Sequence, residues 1–484
     1  MTAIFYALLC FAVLLATLCI IVGLFATYRH YTLQGDGYFV ASLLWLIGIS
    51  AILVVVLAHR EYPAMAITLP GAMEDSGAPE ETPTFLSSSL GRFSSIFIVL
   101  LAAIRFIVGG HFFRSSTSSL RIGEIKKMDP AQLLFTTFFI YFVFYGVLSS
   151  IAGTKPALVH WMFYPVIIIG AAFFSPSYDT RFLVKHIKWI LLILIYGSLS
   201  EALVFPKTAF EHGYVGIIPG LSLRLYGFSE HPNTLGPVAL LFLVLDYFSP
   251  SPGKVGLLHK IAAIAVLLLA QSKTAYIGSS LALLAVLVYR STANQGSKNK
   301  LYLPPLGFLT VLILGAGGIV LTLSVLNFFG KDFFNPFSDV DAKNITFTGR
   351  TLIWEITLDT WKENLLFGYG PELWYPEFRA KYGLPVVGQA HNQFIQALGE
   401  AGIFGMIGLL LYLFALLHAA IVTAGITRGA SLALLVVPLS RTFTETPFRN
   451  FVINDWAFFT HLVVFCLLAG WLREKALVTK GQML

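Results

Sequence analysis

Residues Gly388–Gly405 read "GQAHNQFIQALGEAGIFG" and run without a break into "MIGLLLYLFALLHAAIVTAG", Met406–Gly425. The second piece contains no Asp, Glu, Lys or Arg, and it has about the twenty residues that a helix needs to cross a hydrocarbon core. The first piece sets His391, Asn392, Gln393 and Glu400 at the mouth of that helix. Polar groups are costly there and need partners or a task. One stretch therefore points both to the fold class and to a candidate site.

The whole chain agrees with it. Its 484 residues are 57% hydrophobic and 12% charged, with a mean hydropathy of +0.78, more apolar surface than a soluble core can hide. Runs such as "AIFYALLCFAVLLATLCIIVGLFAT" (Ala3–Thr27) and "LGFLTVLILGAGGIVLTLSVLNFF" (Leu306–Phe329) have the length of spanning helices. We expect an all-α integral membrane protein forming a single polytopic domain over residues 1–484. Ala3–Thr27 reads as a retained helix, since no basic segment precedes it and no small-residue cleavage site follows. Cys10, Cys19 and Cys466 lie in apolar runs without a CxxC pair, which suggests neither a metal site nor a redox motif.

Apolar runs near 3–27, 38–58, 93–112, 131–152, 157–175, 187–205, 233–249, 257–272, 274–290, 304–329, 400–424, 429–445 and 454–472 predict about thirteen transmembrane helices, in a range of about 12–14. Lys and Arg gather in alternate connections, among them "FRSSTSSLRIGEIKKMDP", "SPGKVGLLHK", "RSTANQGSKNK" and the tail "LREKALVTKG". By the positive-inside rule these face the cytoplasm. The other connections then face outward: the acidic "AMEDSGAPEETP", residues 206–232, the "QSKT" turn, a long loop over residues 330–390, and "TETPFRNFVIND". The net charge of +7 is thereby topological, and it is no footprint of a nucleic-acid partner.

Arg224 in "GLSLRLYGFSEHPN", Lys273 in "LLLAQSKTAYIG", Arg350 in "FTGRTLIWE" and His391 all map to the outward side, from three separate connections. Each cation alone would read as an anchor snorkelling at a helix end. Their coincidence on one side points to a shared anion, and a diphosphate suits the forked donors of Arg and the point charge of Lys. His231 in "SEHPN" either touches that ligand or only precedes a helix begun by Pro232. Trp354, Trp361, Tyr369, Trp374 and Tyr375 of the long loop are candidates for stacking on sugars or for the interfacial aromatic belt, the belt being the commoner case. Glu445 and Arg441, in or near the twelfth helix, would pair with one another or orient the cations. "NIT" at Asn344 has the form of a glycosylation sequon without further support.

The order of Arg224, "SEHPN", "SKT", "TGR", "GYG" and "AHNQF" resembles the bacterial O-antigen ligase and polymerase superfamily over about residues 215–450. His391-Asn392 followed by Gly402-Ile403-Phe404-Gly405 is similar to the histidine-glycine signature of the ligases. The chain departs from relatives in carrying Lys273 where Arg is common. The resemblance implies a GT-C-like membrane glycosyltransferase of the bacterial inner membrane, working at the periplasmic face without metal or other cofactor. Its donor would be an undecaprenyl-diphosphate-linked glycan and its acceptor a sugar hydroxyl of lipid A-core or of another glycan. Lipid A-core makes the enzyme an O-antigen ligase, whereas a growing glycan makes it an O-antigen or exopolysaccharide polymerase. A lipid-linked oligosaccharide flippase and an export scaffold are the non-enzymatic alternatives, although no inverted repeat of the transporter kind is evident.

Within this picture Arg224, Lys273 and Arg350 take charge on the leaving diphosphate, and His391 accepts the acceptor's proton. His231, Asn392, Tyr369, Trp354 and Glu445 would contact substrate. Counting from His391, Ile395, Leu398, Gly402 and Gly405 recur at helical spacing, which predicts the histidine in the first turn and the glycines as a surface for a neighbouring helix.

Overall fold

The computed structural model describes residues 36–61, 80–82, 84–116, 130–175, 179–214, 218, 221–294, 350–384, 387–449 and 452–479. Across them the protein is almost wholly helical, an all-α integral membrane protein. Its helices are α1 (Asp36–Leu57), α2 (Phe85–Ser116), α3 (Pro130–Phe142), α4 (Tyr164–Phe173), α5 (Thr180–Val204), α6 (Pro232–Phe248), α7 (Gly253–Leu269), α8 (Lys273–Asn294), α9 (Arg350–Lys362), α10 (Pro376–Tyr382), α11 (Gln393–Thr427), α12 (Ala430–Arg441) and α13 (Trp456–Thr479). After α3 the chain continues through a π-helical stretch, Val143–Leu148, to a last turn at Ser149–Ala152.

Among the described residues six helices are long and apolar enough to cross a membrane: α1, α2, α3 with its continuation, α5, α11 and α13. Shorter apolar helices at His160–Phe173, Pro232–Phe248, Lys273–Tyr289 and Ala430–Arg441 accompany them. Two of the expected spans, 3–27 and 304–329, lie outside the described residues, as do 330–349 of the long loop with the Asn344 sequon. The other expected runs each fall on a helix.

A helix that is apolar on every side belongs inside the bundle, and α13 is such a helix. Its residues from Phe458 to Leu472 are all buried, against α1, α3, α4, α5, α6, α11 and α12. α8 packs on α12, and α11 on α3 and its π-helical continuation.

Hydropathy misses three features. Residues 350–390, expected as a loop, fold into α9 and α10 around a small core of Ile353, Leu373, Trp374, Phe378, Leu384, Val387 and Ala390. α11 begins at Gln393, several residues before its apolar run, and breaks at Gly402 (φ +63, ψ −159). α12 ends at Arg441, which leaves Glu445 in the connection that follows. Two short antiparallel hairpins were also unforeseen: β1 (His59–Glu61) with β2 (Glu80–Thr82), and β3 (Phe210–His212) with β4 (Leu223–Leu225).

Candidate functional site

Arg224 stands on β4, and its strand is clamped by the "QSKT" turn. The buried Gln271 amide donates to the carbonyls of Leu221 and Leu223, and Arg224 Nε donates to the Ala270 carbonyl at 3.2 Å. Arg224 Nη2 reaches Asn233 Oδ1 at 2.6 Å, Tyr214 lies beneath its guanidinium, and Glu211 Oε2 lies 3.9 Å from Nη1. Asn233 in turn donates from Nδ2 to Glu445 Oε1 at 3.0 Å.

Glu445 is the hub. Its Oε2 accepts from Gln389 Nε2 at 2.7 Å and faces His391 Nδ1 at 3.3 Å, while Arg350 Nη2 lies 3.9 Å from Oε1. Burial alone would raise this carboxyl. The charge and hydrogen bond of His391, with the neighbouring His231 and Arg441, overcome burial and hold it well below the usual carboxylate range. An ionised carboxylate has no proton to give, so the ring Nδ1–H of His391 is the donor and Nε2 is left as the basic nitrogen. The His391 side chain keeps 21% of its surface exposed, enough to meet a ligand.

The connection after α12 gathers four helix starts. The Gln393 N–H of α11 bonds the Thr442 carbonyl at 2.8 Å. Thr274, second residue of α8, bonds Thr444 through their hydroxyls at 2.8 Å. Asn233 of α6 and Arg350, the first residue of α9, both face Glu445. Helix N-termini carry partial positive charge and unsatisfied N–H groups, so their convergence with Arg224, Arg350 and Lys273 makes this end of the bundle favourable to an anion. Lys273 is exposed at the first position of α8, where a cation opposes the dipole unless an anion joins it.

His391 itself lies outside the helix. Asn392 is the N-cap of α11, its Oδ1 accepting from the N–H groups of Phe394 and Ile395, and a cap of this kind contributes about 1 kcal/mol. His391 precedes the cap with φ +49, a left-handed backbone that costs a non-glycine residue on the order of 1 kcal/mol. The position in the first turn and the stripe running through Gly402 are thereby corrected.

Two contacts on the backbone of Ala390 hold the strained residue from its N-terminal side. The Ala390 N–H donates to Gln396 Oε1 at 2.6 Å, and the Ala390 carbonyl accepts from Trp354 Nε1 at 2.7 Å. Gln396 donates to Glu400 Oε2, and the buried Glu400 pairs with Arg449 through both of its oxygens while accepting from Tyr145 at 2.6 Å. Arg449 also donates to the carbonyls of Gly388 and Leu373. This braced network answers why Glu400 sits in an apolar helix.

The remaining expected residues take more modest places. His231 is the N-cap of α6, its Nδ1 accepting the Asn233 N–H at 3.0 Å; burial, then the charge of Arg224, push it down to about 3. It is a neutral cap beside the site. Trp354 positions Ala390. Tyr369 packs on Phe378, and Trp374 is wholly buried in the small core of the loop, so neither belt nor sugar platform describes Trp374. Arg441 donates to Thr234 Oγ1 at 3.3 Å, and Glu445 serves the cations instead of pairing with Arg441 alone. Gln389, Asn233 and Arg449 went unselected in the sequence. Gln389 lies two residues before His391 and Asn233 two after His231, so proximity to the histidines was their only signal.

Residues 259–410 match the model of the family described as O-Antigen ligase. The matched segment includes Lys273, Arg350 and His391 and ends within α11. No curated protein matches the chain.

Proposed function

We propose that this membrane protein, whose residues 259–410 match the model of the family described as O-Antigen ligase, is a glycosyltransferase. It moves a glycan from an undecaprenyl diphosphate carrier to a sugar hydroxyl of an acceptor glycan, at the periplasmic face of the bacterial inner membrane. The observation that carries this reading is the His391–Glu445 pair set beside Arg350 and, through Asn233, beside Arg224.

Glu445 fixes the imidazole so that Nε2 takes the proton of the acceptor hydroxyl. The freed oxygen lone pair attacks the anomeric carbon, and the bond from that carbon to the diphosphate oxygen breaks. The departing electron pair rests on the diphosphate, where Arg224, Arg350 and Lys273, with the helix starts behind them, stabilise the charge. These cations supply the electrostatic role that a divalent ion plays in many phosphate chemistries. The acceptor we favour is lipid A-core.

Purified protein given lipid-linked donor and lipid A-core, with neither nucleotide nor divalent cation, should form glycosylated core. No product with an active donor preparation would refute the assignment. In cells, a deletion strain should show uncapped core and accumulated lipid-linked polymer, whereas core bearing a single repeat would mean a polymerase.

A further inference from the structure

At the end of α6 opposite His231 lies a cavity of about 410 Å³ lined by Leu243, Asp246, Tyr247, Pro250, Lys260 and Arg428, within the roughly 300–1,000 Å³ of small-ligand sites. α6 has seventeen residues, about 25 Å at a helical rise of 1.5 Å per residue. The cavity is thus separated from the His391 site by most of a hydrocarbon core and lies at the other interface.

Its charges are unbalanced. Asp246 Oδ1 is engaged by Lys188 Nζ at 2.5 Å and by the N–H and hydroxyl of Ser251. Lys188 also donates to the Ser249 carbonyl and Ser251 Oγ, so one cation already offsets this carboxylate. Lys260 is a second cation on the same group, 3.4 Å from Oδ2 and 42% exposed. Arg428 is a third. Its backbone is fixed in the left-handed region (φ +52), and its carbonyl accepts from the Tyr247 hydroxyl at 3.0 Å. Its side chain is exposed. Gly or Asn would cost less at that backbone, so the fold accepts strain to set an arginine at the cavity.

The rim is apolar. α7 exposes Val255, Leu257, Leu258 and Ile261 beside Lys260, a surface suited to acyl chains, and Tyr247 is the amphipathic residue of a membrane interface. Cations paired with a lipid-facing apolar wall select a phosphate that carries hydrocarbon.

We propose that this cavity binds the phosphate of an anionic phospholipid headgroup, with Lys260 and Arg428 on the phosphate oxygens and the acyl chains along α7. The same cations would take free phosphate, so the test separates the two sources. Binding of phosphatidylglycerol, phosphatidylcholine and inorganic phosphate to the purified full-length protein is measured by native mass spectrometry and by the ligand-induced shift of the thermal midpoint. Phosphatidylglycerol should bind and stabilise the wild type more than phosphatidylcholine does. Lys260→Gln and Arg428→Gln should each weaken that binding about fivefold, from roughly 1 kcal/mol per basic residue at an anionic surface, and leave glycan transfer in neutral lipid unchanged. Because the readout is the shift that lipid induces, a variant with a lower basal midpoint still reports; Arg428→Asn, suited to the left-handed backbone, is the second check. Equal phosphatidylglycerol binding by wild type and the Lys260→Gln/Arg428→Gln double variant would overturn the site, and an equal shift from inorganic phosphate would overturn its assignment to lipid.

Discussion

At the scale of the residue, the site turns on one imidazole and one carboxylate. His391→Ala should leave donor binding nearly intact and lower the chemical step by roughly 10² to 10⁴, the range of a positioned general base; binding of lipid diphosphate and single-turnover rate separate the two effects. Arg350→Ala should instead lose donor affinity together with rate, because a cation on the diphosphate acts in both ground and transition states. The pH profile assigns the base. Glu445 is held well below the usual carboxylate range, so it stays charged as the medium is acidified toward neutral-minus values, and His231, pushed down to about 3, stays neutral over the same window. An acidic limb in kcat that disappears in His391→Ala is the signature of an imidazole base. Removing a negative charge beside an imidazole disfavours its protonation, so Glu445→Gln should move that limb to lower pH as well as reduce the rate. A limb that keeps its place in Glu445→Gln, or survives in His391→Ala, would put the base elsewhere.

At the scale of the element, α11 shows what a sequence can and cannot display. Its apolar run is long enough to declare a spanning helix, and that much was legible. Its break was not, because Gly402 and Gly405 at near-helical spacing read equally well as a helix-packing surface. In the structure Gly402 receives a loop instead, whereas Gly399 faces Thr357 of α9 and Gly405 faces Tyr145 of the π-helical stretch. The N–H groups of Tyr369 and Gly370 bond the carbonyls of Gly399 and Glu400, and those of Ile403 and Phe404 bond Leu365 and Leu366. The "LFGYG" segment and the broken helix thus complete one another's backbone hydrogen bonds. Gly402 lies in a region of φ and ψ that only glycine occupies readily, and a Cβ there would lie 2.4 Å from the backbone of Leu366. Gly402→Ala should destabilise the protein by roughly 1–3 kcal/mol, read as a lowered thermal midpoint in detergent; an unchanged midpoint would mean that the break is not part of the fold. The pairing of Glu400 with Arg449 was hidden for a different reason. The two lie 49 residues apart, and sequence spacing exposes partners only along one helix.

At the scale of the whole molecule, the convergence of Arg224, Arg350 and His391 was legible because topology does not need coordinates: alternate connections poor in Lys and Arg share one side of the membrane. The order of contacts within that side was not legible. It depends on the connection after α12 meeting four helix starts, which no hydropathy window contains. The same alternation makes a strong claim about sidedness that the proposed transfer requires, since its donor and acceptor would have to reach His391 from one compartment. Lys381, exposed on α10, belongs to the segment that carries His391, and Lys254, exposed on α7, lies at the end of the bundle that holds Lys260. With the other cysteines replaced, Lys381→Cys in intact inner-membrane vesicles of known orientation should react with a membrane-impermeant maleimide from the periplasmic side alone, and Lys254→Cys from the cytoplasmic side alone. Cys466, wholly buried in α13, should stay unlabelled from either side in the parent chain. Labelling of Lys381→Cys and Lys254→Cys from the same compartment would break the sidedness of the bundle. The periplasmic placement of the site would then fall, and with it the proposal that donor and acceptor meet at His391 from that compartment.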